Sequence, residues 1–199
     1  MNQNTEVSEN INPEQTHVNS FTASCFEWIE ALIPALIVII ILFTFLFRVN
    51  IVVSGPSMEP NLLDGYKVFI SCIDKHLSRD DIVVVDSKGT SLNKPIIKRV
   101  IATAGQTVNI DFQTGIVSVD GVELDESVYI ENGITKDQGD VSFPQKVPVG
   151  HVFVLGDNRT VSEDSRYRAV GMIDQRYIIG KVNFIISPFS KFGKLSNTR

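Results

Sequence analysis

The sequence predicts a mainly β domain that follows a single N-terminal transmembrane helix. One uncharged and almost wholly apolar run extends from Ala31 to Phe47. Beyond it, short β-branched runs alternate with turn signals, and no segment shows a helical period of useful length. A chain of 199 residues allows one domain of ordinary size with an appendage. These observations together define the predicted fold class.

The N-terminal part of the chain divides into a polar tail and an apolar helix. Residues 1–27 are rich in Asn, Glu and Thr and contain no Lys or Arg, so we predict a flexible tail. The helix is predicted over residues 28–47, about 20 positions, which suffice to cross a bilayer core of about 30 Å. The run lacks a positive segment before it and a small-residue cleavage site after it, which argues against a cleaved signal peptide. A lipid bilayer is therefore an expected partner.

Residues 48–199 form the predicted β domain, whose strands we expect to be mostly antiparallel. The predicted strands lie in "NIVVSG", "YKVFIS", "DIVVVDS", "PIIKRVIATAG", "TVNIDF", "GIVSVDG", "HVFVLGDN" and "YIIGKVNFIIS". The segment "DFQTGI" and the pair Asp120–Gly121 are typical of hairpin turns. Residues 131–148 are predicted to form a long polar loop.

Composition excludes some classes of function. Five of the 23 acidic residues precede Arg48 and all 18 basic residues lie at or after it, so the β domain is close to neutral. Because no basic stripe is present, nucleic acid is not an expected partner. Cys25 and Cys72 flank the predicted span and cannot pair within the chain. With three scattered histidines and no Cys/His cluster, no metal and no other cofactor is predicted.

The segment "SGPSMEPNLLDG", residues 54–65, contains a candidate nucleophile, Ser57. Ser57 lies between Pro56 and Met58, where the backbone has restricted freedom. The alternative is an ordinary turn serine that caps the residues after it. A nucleophilic serine also needs a base within hydrogen-bonding reach, and none of the three histidines has a suitable context.

Lysine is the other base that can activate a serine. It acts only when neutral, so burial must lower its pKa from about 10.4. In "PIIKRVIA", Ile96, Lys98 and Val100 share one face of a strand, so Lys98 is flanked on that face by two apolar side chains. The alternative is an edge-strand lysine whose ammonium reaches water.

A third segment, "GDNRTVSEDSRY", follows a strand that the pattern predicts to be buried. It concentrates acidic, basic and hydroxyl side chains in residues 156–167. A solvated charged loop is one interpretation. A loop that lines a functional site is the other, since such loops often follow buried strands.

These segments resemble the bacterial type I signal peptidases, membrane-anchored Ser-Lys proteases that remove signal peptides from exported proteins. The resemblance extends from the predicted helix to about Pro188. It rests on four stretches in the family's order: "SGPSMEPNLLDG", "SRDDIVVV", "IIKRVIATAG" and "GDNRTVSEDSR". It implies that Ser57 is the nucleophile, that Lys98 is the general base, and that the Ser162 hydroxyl orients the lysine amine.

The resemblance also implies how the site is supported and what it recognises. Two charged pairs, Arg99 with Asp157 and Asp164 with Arg166, are expected to hold the site together. Apolar pockets are expected to accept small side chains at the cleavage site. The pocket nearest the scissile bond is matched by Val53, Met58, Leu62, Ile96 and Ile97, and its neighbour by Ile51, Val68 and Val84.

The oxyanion hole is the main departure from the family pattern. The backbone N–H of Ser57 is expected to be one donor. Some members place a serine two positions before the nucleophile as the second donor, and this chain has Gly55 there. Either the Gly55 backbone or Ser54 must then substitute.

Two further departures leave the implied catalytic groups in place. Residues 79–81 read Arg-Asp-Asp where the family usually has Arg-Gly-Asp, and Thr160 and Val161 replace an Asp-Asn pair. The eukaryotic-type relatives use histidine as the base. Lys98 therefore assigns this chain to the lysine class by resemblance.

The implied function is cleavage of signal peptides from secreted preproteins after small residues, at sites of the Ala-x-Ala type. The substrate is expected to add as a strand beside "PIIK". The resemblance implies a single-pass protein of the bacterial plasma membrane, with its catalytic domain on the extracytoplasmic face and near the protein-export translocon. Few residues separate Phe47 from Val53, so the site is expected close to the bilayer surface.

Two alternatives remain at the level of sequence. One is a different Ser-Lys enzyme, such as a self-cleaving repressor-type protease or a processing peptidase of a conjugation system. A soluble repressor would carry a DNA-binding domain in place of the apolar run. The other is a catalytically silent assembly factor for surface fibres, which would be expected to lose Ser57 or Lys98.

Overall fold

The computed structural model of the chain describes residues 13–74, 76–130 and 134–195. The chain divides into two compact units, Met1–Phe45 and Leu46–Arg199. The first unit is helical and the second carries the β-sheets.

The first unit contains helix α1 (Pro13–Leu46). Proline suits the first position of a helix, because its missing N–H would have no partner there. No glycine interrupts the segment that follows. Residues 13–27 are therefore helical where the sequence predicts a flexible tail, and residues 1–12 of that tail lie outside the described residues. Within the described part of the chain, no helix combines the length and the apolar character needed to cross a membrane.

The second unit contains a large antiparallel sheet, as the sequence predicts. Its strands are β1 (Phe47–Val52), β2 (Lys67–Ser71), β3 (Ile82–Val85), β4 (Ile96–Thr103), β9 (His151–Leu155), β10 (Ile173–Asp174), β11 (Ile178–Ser187) and β12 (Gly193–Lys194). Their order is β1-β2-β11-β3-β4-β9-β10, and β12 pairs with β11.

A smaller antiparallel sheet is inserted between β4 and β9. It consists of β5 (Thr107–Asp111), β6 (Ile116–Val119), β7 (Val122–Glu123) and β8 (Gln145–Lys146), in the order β7-β6-β5-β8. The turn between β6 and β7 has positive φ at Asp120 and Gly121, 54° and 80°, the conformation that the Asp-Gly pair predicts. Short 3₁₀ segments are Ser87–Gly89, Gln175–Tyr177 and Phe189–Lys191.

The predicted strand segments all contain strands, because β-branched residues with a period of two bury both faces of the large sheet. Ile82 and Val84 of β3 pack in one hydrophobic cluster with Met58. Val83 and Val85, which alternate with them, pack in another. The structure departs in part from the long polar loop predicted over residues 131–148, because β8 lies within that range and pairs with β5.

Strand β4 has a change of partner at its centre. It pairs with β3 from Ile96 to Arg99, and with β9 from Arg99 to Thr103. Along Ile96–Lys98, the edge of β4 that faces away from β3 pairs with no described strand. This open edge ends at Lys98.

Candidate active site

Ser57 lies in the loop that joins β1 to β2. A hydrogen bond from the Val53 N–H to the Tyr66 carbonyl, 2.8 Å long, closes the base of this loop. The side chain of Met58 is buried in the core and fixes the segment next to the serine. The Ser57 carbonyl accepts a hydrogen bond of 3.0 Å from the Asn158 N–H. Ser57 itself stays partly exposed, so the serine is held in place and still reachable.

Lys98 lies on β4 with its amine against this serine. Its Nζ donates a hydrogen bond of 2.8 Å to Ser57 Oγ, and the residue is only 3% exposed. Burial lowers the pKa of Lys98 to about 8, although the Asp164 carboxylate opposes this shift and Lys94 supports it. With this pKa about a tenth of the amine is neutral at pH 7, far more than for a free lysine, and the neutral form is the one that proton transfer from the serine requires.

The loop formed by residues 156–166, here called the charged loop, follows β9 and carries two buried ion pairs. Arg99 donates from Nε and Nη2 to the two carboxylate oxygens of Asp157, each at 2.8 Å. Arg166 likewise donates from Nε and Nη2 to Asp164, each at 2.9 Å. The structure thus makes the two pairings that the sequence resemblance implies.

Each ion pair is tied to the backbone or to a further polar group. Asp164 also accepts from the Gly156 N–H at 3.0 Å, at the beginning of the charged loop. Asp157 accepts from Asn61 Nδ2 at 2.8 Å, which connects it to the loop that carries Ser57. Because the carboxylates are almost fully buried, these additional donors satisfy oxygens that water cannot reach.

Ser162 is close to the dyad but does not bond to the lysine. Its hydroxyl is buried and has no hydrogen-bond partner among the described residues. A Cβ added to Gly156 would overlap the Ser162 side chain and lie 2.5 Å from the Ser57 carbonyl oxygen. The hydrogen bond from Ser162 to Lys98 that the resemblance implies is therefore absent here, although the close packing at Gly156 places Ser162 beside the nucleophile loop.

The predicted oxyanion donors differ in their availability. The Ser57 N–H donates to no described residue. The Gly55 N–H instead donates to Asp64 Oδ1 at 2.7 Å. The expectation that Gly55 supplies the second donor is therefore not met in this conformation, because a carboxylate already accepts its proton.

A groove of about 580 Å³ runs past Ser57 and Lys98. Six predicted pocket residues line it: Ile51, Val53, Met58, Val84, Ile96 and Ile97. Leu62 and Val68 do not line it and lie in the adjoining core. The groove is also lined by residues that sequence reasoning did not single out, including Leu92, Lys94, Pro95, Val161, Glu163 and Ile179.

Sequence reasoning also missed a polar network behind the charged loop. Arg159 forms a buried ion pair with Glu126, 2.6 Å between Nη2 and Oε1. Tyr129 donates to the same carboxylate and lies under the Arg99 guanidinium, 4.2 Å from it. The only signal in the sequence was the charge of the loop itself. No group of His, Cys, Asp or Glu within the described residues is arranged to hold a metal ion.

The fold and the site define a mainly β protein in which a serine lies beside a buried lysine. Residues 25–187 match the model of a protein family described as signal peptidase, peptidase S26. The chain belongs to this family.

Named relatives agree with the family match. The chain is 35% identical over 181 residues to signal peptidase I of Bacillus licheniformis, covering 86% of this chain and 93% of that protein. It is 31% identical over 191 residues to signal peptidase I T of Bacillus subtilis, covering 92% and 95%. A crystal structure of a signal peptidase I from Enterococcus faecalis matches with a TM-score of 0.42 and 28% identity, over 53% of this chain and 96% of that one.

Proposed function

We propose that this chain is a signal peptidase I that cleaves preproteins after small residues, with Ser57 as nucleophile and Lys98 as general base. The observation that carries the proposal is the hydrogen bond between Lys98 Nζ and Ser57 Oγ at a buried lysine. Family membership supports the reaction class. The hydrogen bond between Lys98 and Ser57 supports the assignment of these residues as base and nucleophile of that reaction.

The proposed reaction follows from the positions of Lys98 Nζ and Ser57 Oγ. Neutral Lys98 takes the Ser57 hydroxyl proton while Oγ attacks the scissile carbonyl carbon. The lysine ammonium then gives that proton to the departing amine as the C–N bond breaks. Water attacks the resulting ester with Lys98 again as the base, and the proton returns to Ser57 Oγ as the ester bond breaks. Each proton that the lysine accepts is returned within the cycle.

The oxyanion needs donors near the nucleophile. The N–H of Ser57 is the first proposed donor. Ser54 is the remaining candidate for the second, because it lines the same groove and the Gly55 N–H is bonded to Asp64. Removing Asp64 as an acceptor would make Gly55 available again.

Recognition of the substrate uses the strand edge and the groove. An extended signal-peptide segment adds to the open edge of β4 along Ile96–Lys98, with main-chain hydrogen bonds. Its alternate side chains enter the apolar groove beside Val53 and Ile97. Small residues suit this arrangement, because the peptide backbone must approach Ser57 closely.

Attachment to the membrane is a further part of the proposal. We propose that the apolar run of α1 anchors the chain in the bacterial plasma membrane, with the β domain on the extracytoplasmic face near the export translocon. Support comes from the uncharged sequence between Ala31 and Phe47 and from the large exposed side chains between Trp28 and Phe43. Apolar side chains exposed on all sides of a helix would be unfavourable in water.

The test is cleavage of a preprotein with an Ala-x-Ala site by the full chain in detergent or liposomes. Wild-type protein is expected to release the signal peptide, and folded Ser57→Ala and Lys98→Ala variants are expected to release none. The assembly-factor alternative predicts no cleavage by folded wild-type protein. Full activity of Lys98→Ala would contradict the assignment of the base.

A further inference from the structure

We propose that Glu126 is a positioning residue of the active site, which acts through Arg159 and Tyr129 on the charged loop. This inference rests on the proposed function. Glu126 follows β7 of the small sheet, far in sequence from Ser57, Lys98 and the charged loop. The small sheet would then contribute to catalysis through a residue that contacts neither the nucleophile nor the base.

The first contact of Glu126 is with Arg159. Arg159 Nη1 donates to Glu126 Oε2 at 2.9 Å and Nη2 donates to Oε1 at 2.6 Å. Nη1 also donates to Thr135 Oγ1 at 2.6 Å. All three residues are buried, so water does not replace a lost partner. The paired geometry fixes the orientation of the guanidinium as well as its position.

Arg159 in turn holds the turn at the start of the charged loop. Its Nε donates to the Gly156 carbonyl at 3.0 Å, which closes that turn on itself. The residue before it, Asn158, donates its N–H to the Ser57 carbonyl and accepts from the Ser162 N–H. A displacement of Arg159 would therefore move the backbone contacts of both serines.

Glu126 reaches the site by a second route through Tyr129. The Tyr129 hydroxyl donates to Glu126 Oε1 at 3.0 Å, and its ring lies 4.2 Å from the Arg99 guanidinium carbon. Burial, followed by the nearby Glu126 carboxylate, raises the pKa of Tyr129, so the phenol remains a donor. Arg99 is the partner of Asp157 and the neighbour of Lys98 in β4. Glu126 is therefore connected to groups next to both members of the dyad, Asn158 at Ser57 and Arg99 at Lys98.

A purely stabilising role explains this arrangement less well. A buried ion pair often contributes little to stability relative to apolar residues of similar size. What it does supply is a fixed geometry, provided that every buried polar group is satisfied. Here the carboxylate is satisfied by Arg159 and Tyr129, and the guanidinium by Glu126, Thr135 and Gly156.

The experiment uses two variants that differ in severity. Tyr129→Phe removes one hydrogen bond to Glu126 and keeps the ring over Arg99. The double variant Glu126→Leu/Arg159→Met removes both charges, so that no unpaired guanidinium remains in the core. The control is Asp174→Leu/Arg176→Met, which removes an ion pair outside the site whose Arg176 side chain is exposed.

The measurements are kcat and KM for preprotein cleavage, together with the melting temperature. We expect kcat to fall about 10- to 100-fold in the double variant, because a displacement of about 1 Å is enough for such a loss. In Tyr129→Phe we expect a several-fold fall. In both, KM should stay within about twofold, since the groove is unchanged, and the control should match wild type.

Three results would overturn the inference. The first is a wild-type kcat in Tyr129→Phe or in the folded double variant. The second is an effect of the substitutions on KM alone, and the third is a fall in kcat that is fully explained by a smaller fraction of folded protein. Failure of the proposed function itself would look different, because folded wild-type protein would then not cleave the preprotein at all.

Discussion

Lys98 Nζ and Ser57 Oγ lie 2.8 Å apart, which joins β4 to the loop between β1 and β2. Opposing effects act on the pKa of the Lys98 amine. Burial lowers its pKa, whereas the carboxylates of Asp164, Asp157 and Glu163 raise it. The effect of burial is larger, and the resulting pKa of about 8 makes Lys98 a usable base.

Replacing Lys98 by arginine tests whether the site needs a base or only a positive charge. Lys98→Arg keeps the charge but holds its proton at every accessible pH, so we expect kcat to fall about 10²- to 10⁴-fold. Preprotein cleavage under saturating conditions measures this. Lys88→Arg, at an exposed position of the same domain, is the control and should behave as wild type. Retention of more than a tenth of the activity by folded Lys98→Arg would exclude Lys98 as the base.

The close packing at Gly156 predicts that a single methyl group disturbs the dyad. In Gly156→Ala the new Cβ would overlap Ser162 and press on the Ser57 carbonyl, so we expect kcat to fall at least about tenfold. Gly180→Ala is the matched control, because its Cβ would lie 2.5 Å from the Ser71 carbonyl oxygen, away from the dyad. It should lower the melting temperature without lowering kcat. Equal kcat in the two variants would mean that crowding at Gly156 does not reach the dyad.

The unpaired hydroxyl of Ser162 predicts a variant that loses activity without losing stability. A buried hydroxyl without a partner costs stability, so Ser162→Ala should have an unchanged or slightly higher free energy of unfolding. We expect its kcat to fall, because the resemblance implies that this hydroxyl orients the lysine amine during the reaction, although the two groups do not bond in this conformation.

Ser165→Ala should show the opposite behaviour. Ser165 Oγ donates to the Gly171 carbonyl at 2.7 Å and accepts from the Val154 N–H at 3.0 Å. Its loss should lower the free energy of unfolding and leave kcat unchanged. Denaturant titration and cleavage kinetics on the two variants measure both properties. Wild-type kcat in Ser162→Ala would remove Ser162 from the mechanism.

The ion pair between Arg99 and Asp157 predicts a large loss of stability when one partner is neutralised. Asp157→Asn leaves a buried guanidinium without its counter-ion, which typically costs about 3–5 kcal/mol of unfolding free energy. Asp174→Asn removes the charged partner of Arg176, whose guanidinium is largely exposed, and should cause only a small change. Denaturant titration at neutral pH compares them. Similar small changes in both would show that the buried pair does not stabilise this loop.

The sequence is sufficient to predict the large sheet and the candidate residues Ser57 and Lys98, and the reasons are physical. Alternating β-branched residues predict strands such as β3 and β4, because only a pleated segment buries such a pattern. The requirement for a neutral base directs attention to Lys98, whose strand neighbours are apolar. The segment order in the resemblance then adds Ser162 and the two ion pairs.

Contacts between distant side chains could not be predicted in the same way. Glu126 lies in the segment after β7 and Arg159 in the charged loop, so the two meet only after the domain has folded and no local pattern indicates their pairing. The occupation of the Gly55 N–H by Asp64 depends on the path of a whole loop. The assignment of Leu62 and Val68 to the substrate pockets stays a prediction, because the sequence pattern of an apolar residue is the same in a pocket and in the core beside it.

The pH dependence of kcat for wild-type protein tests the central claim most directly. The base acts in its neutral form, so activity should be lost as the pH falls through the pKa of Lys98. We expect kcat to rise about tenfold per pH unit at low pH and to level off above a pKa of about 8. The residual activity of Lys98→Arg should lack this inflection. An inflection near that of free lysine, about 10.4, or a profile unchanged in Lys98→Arg, would contradict the account.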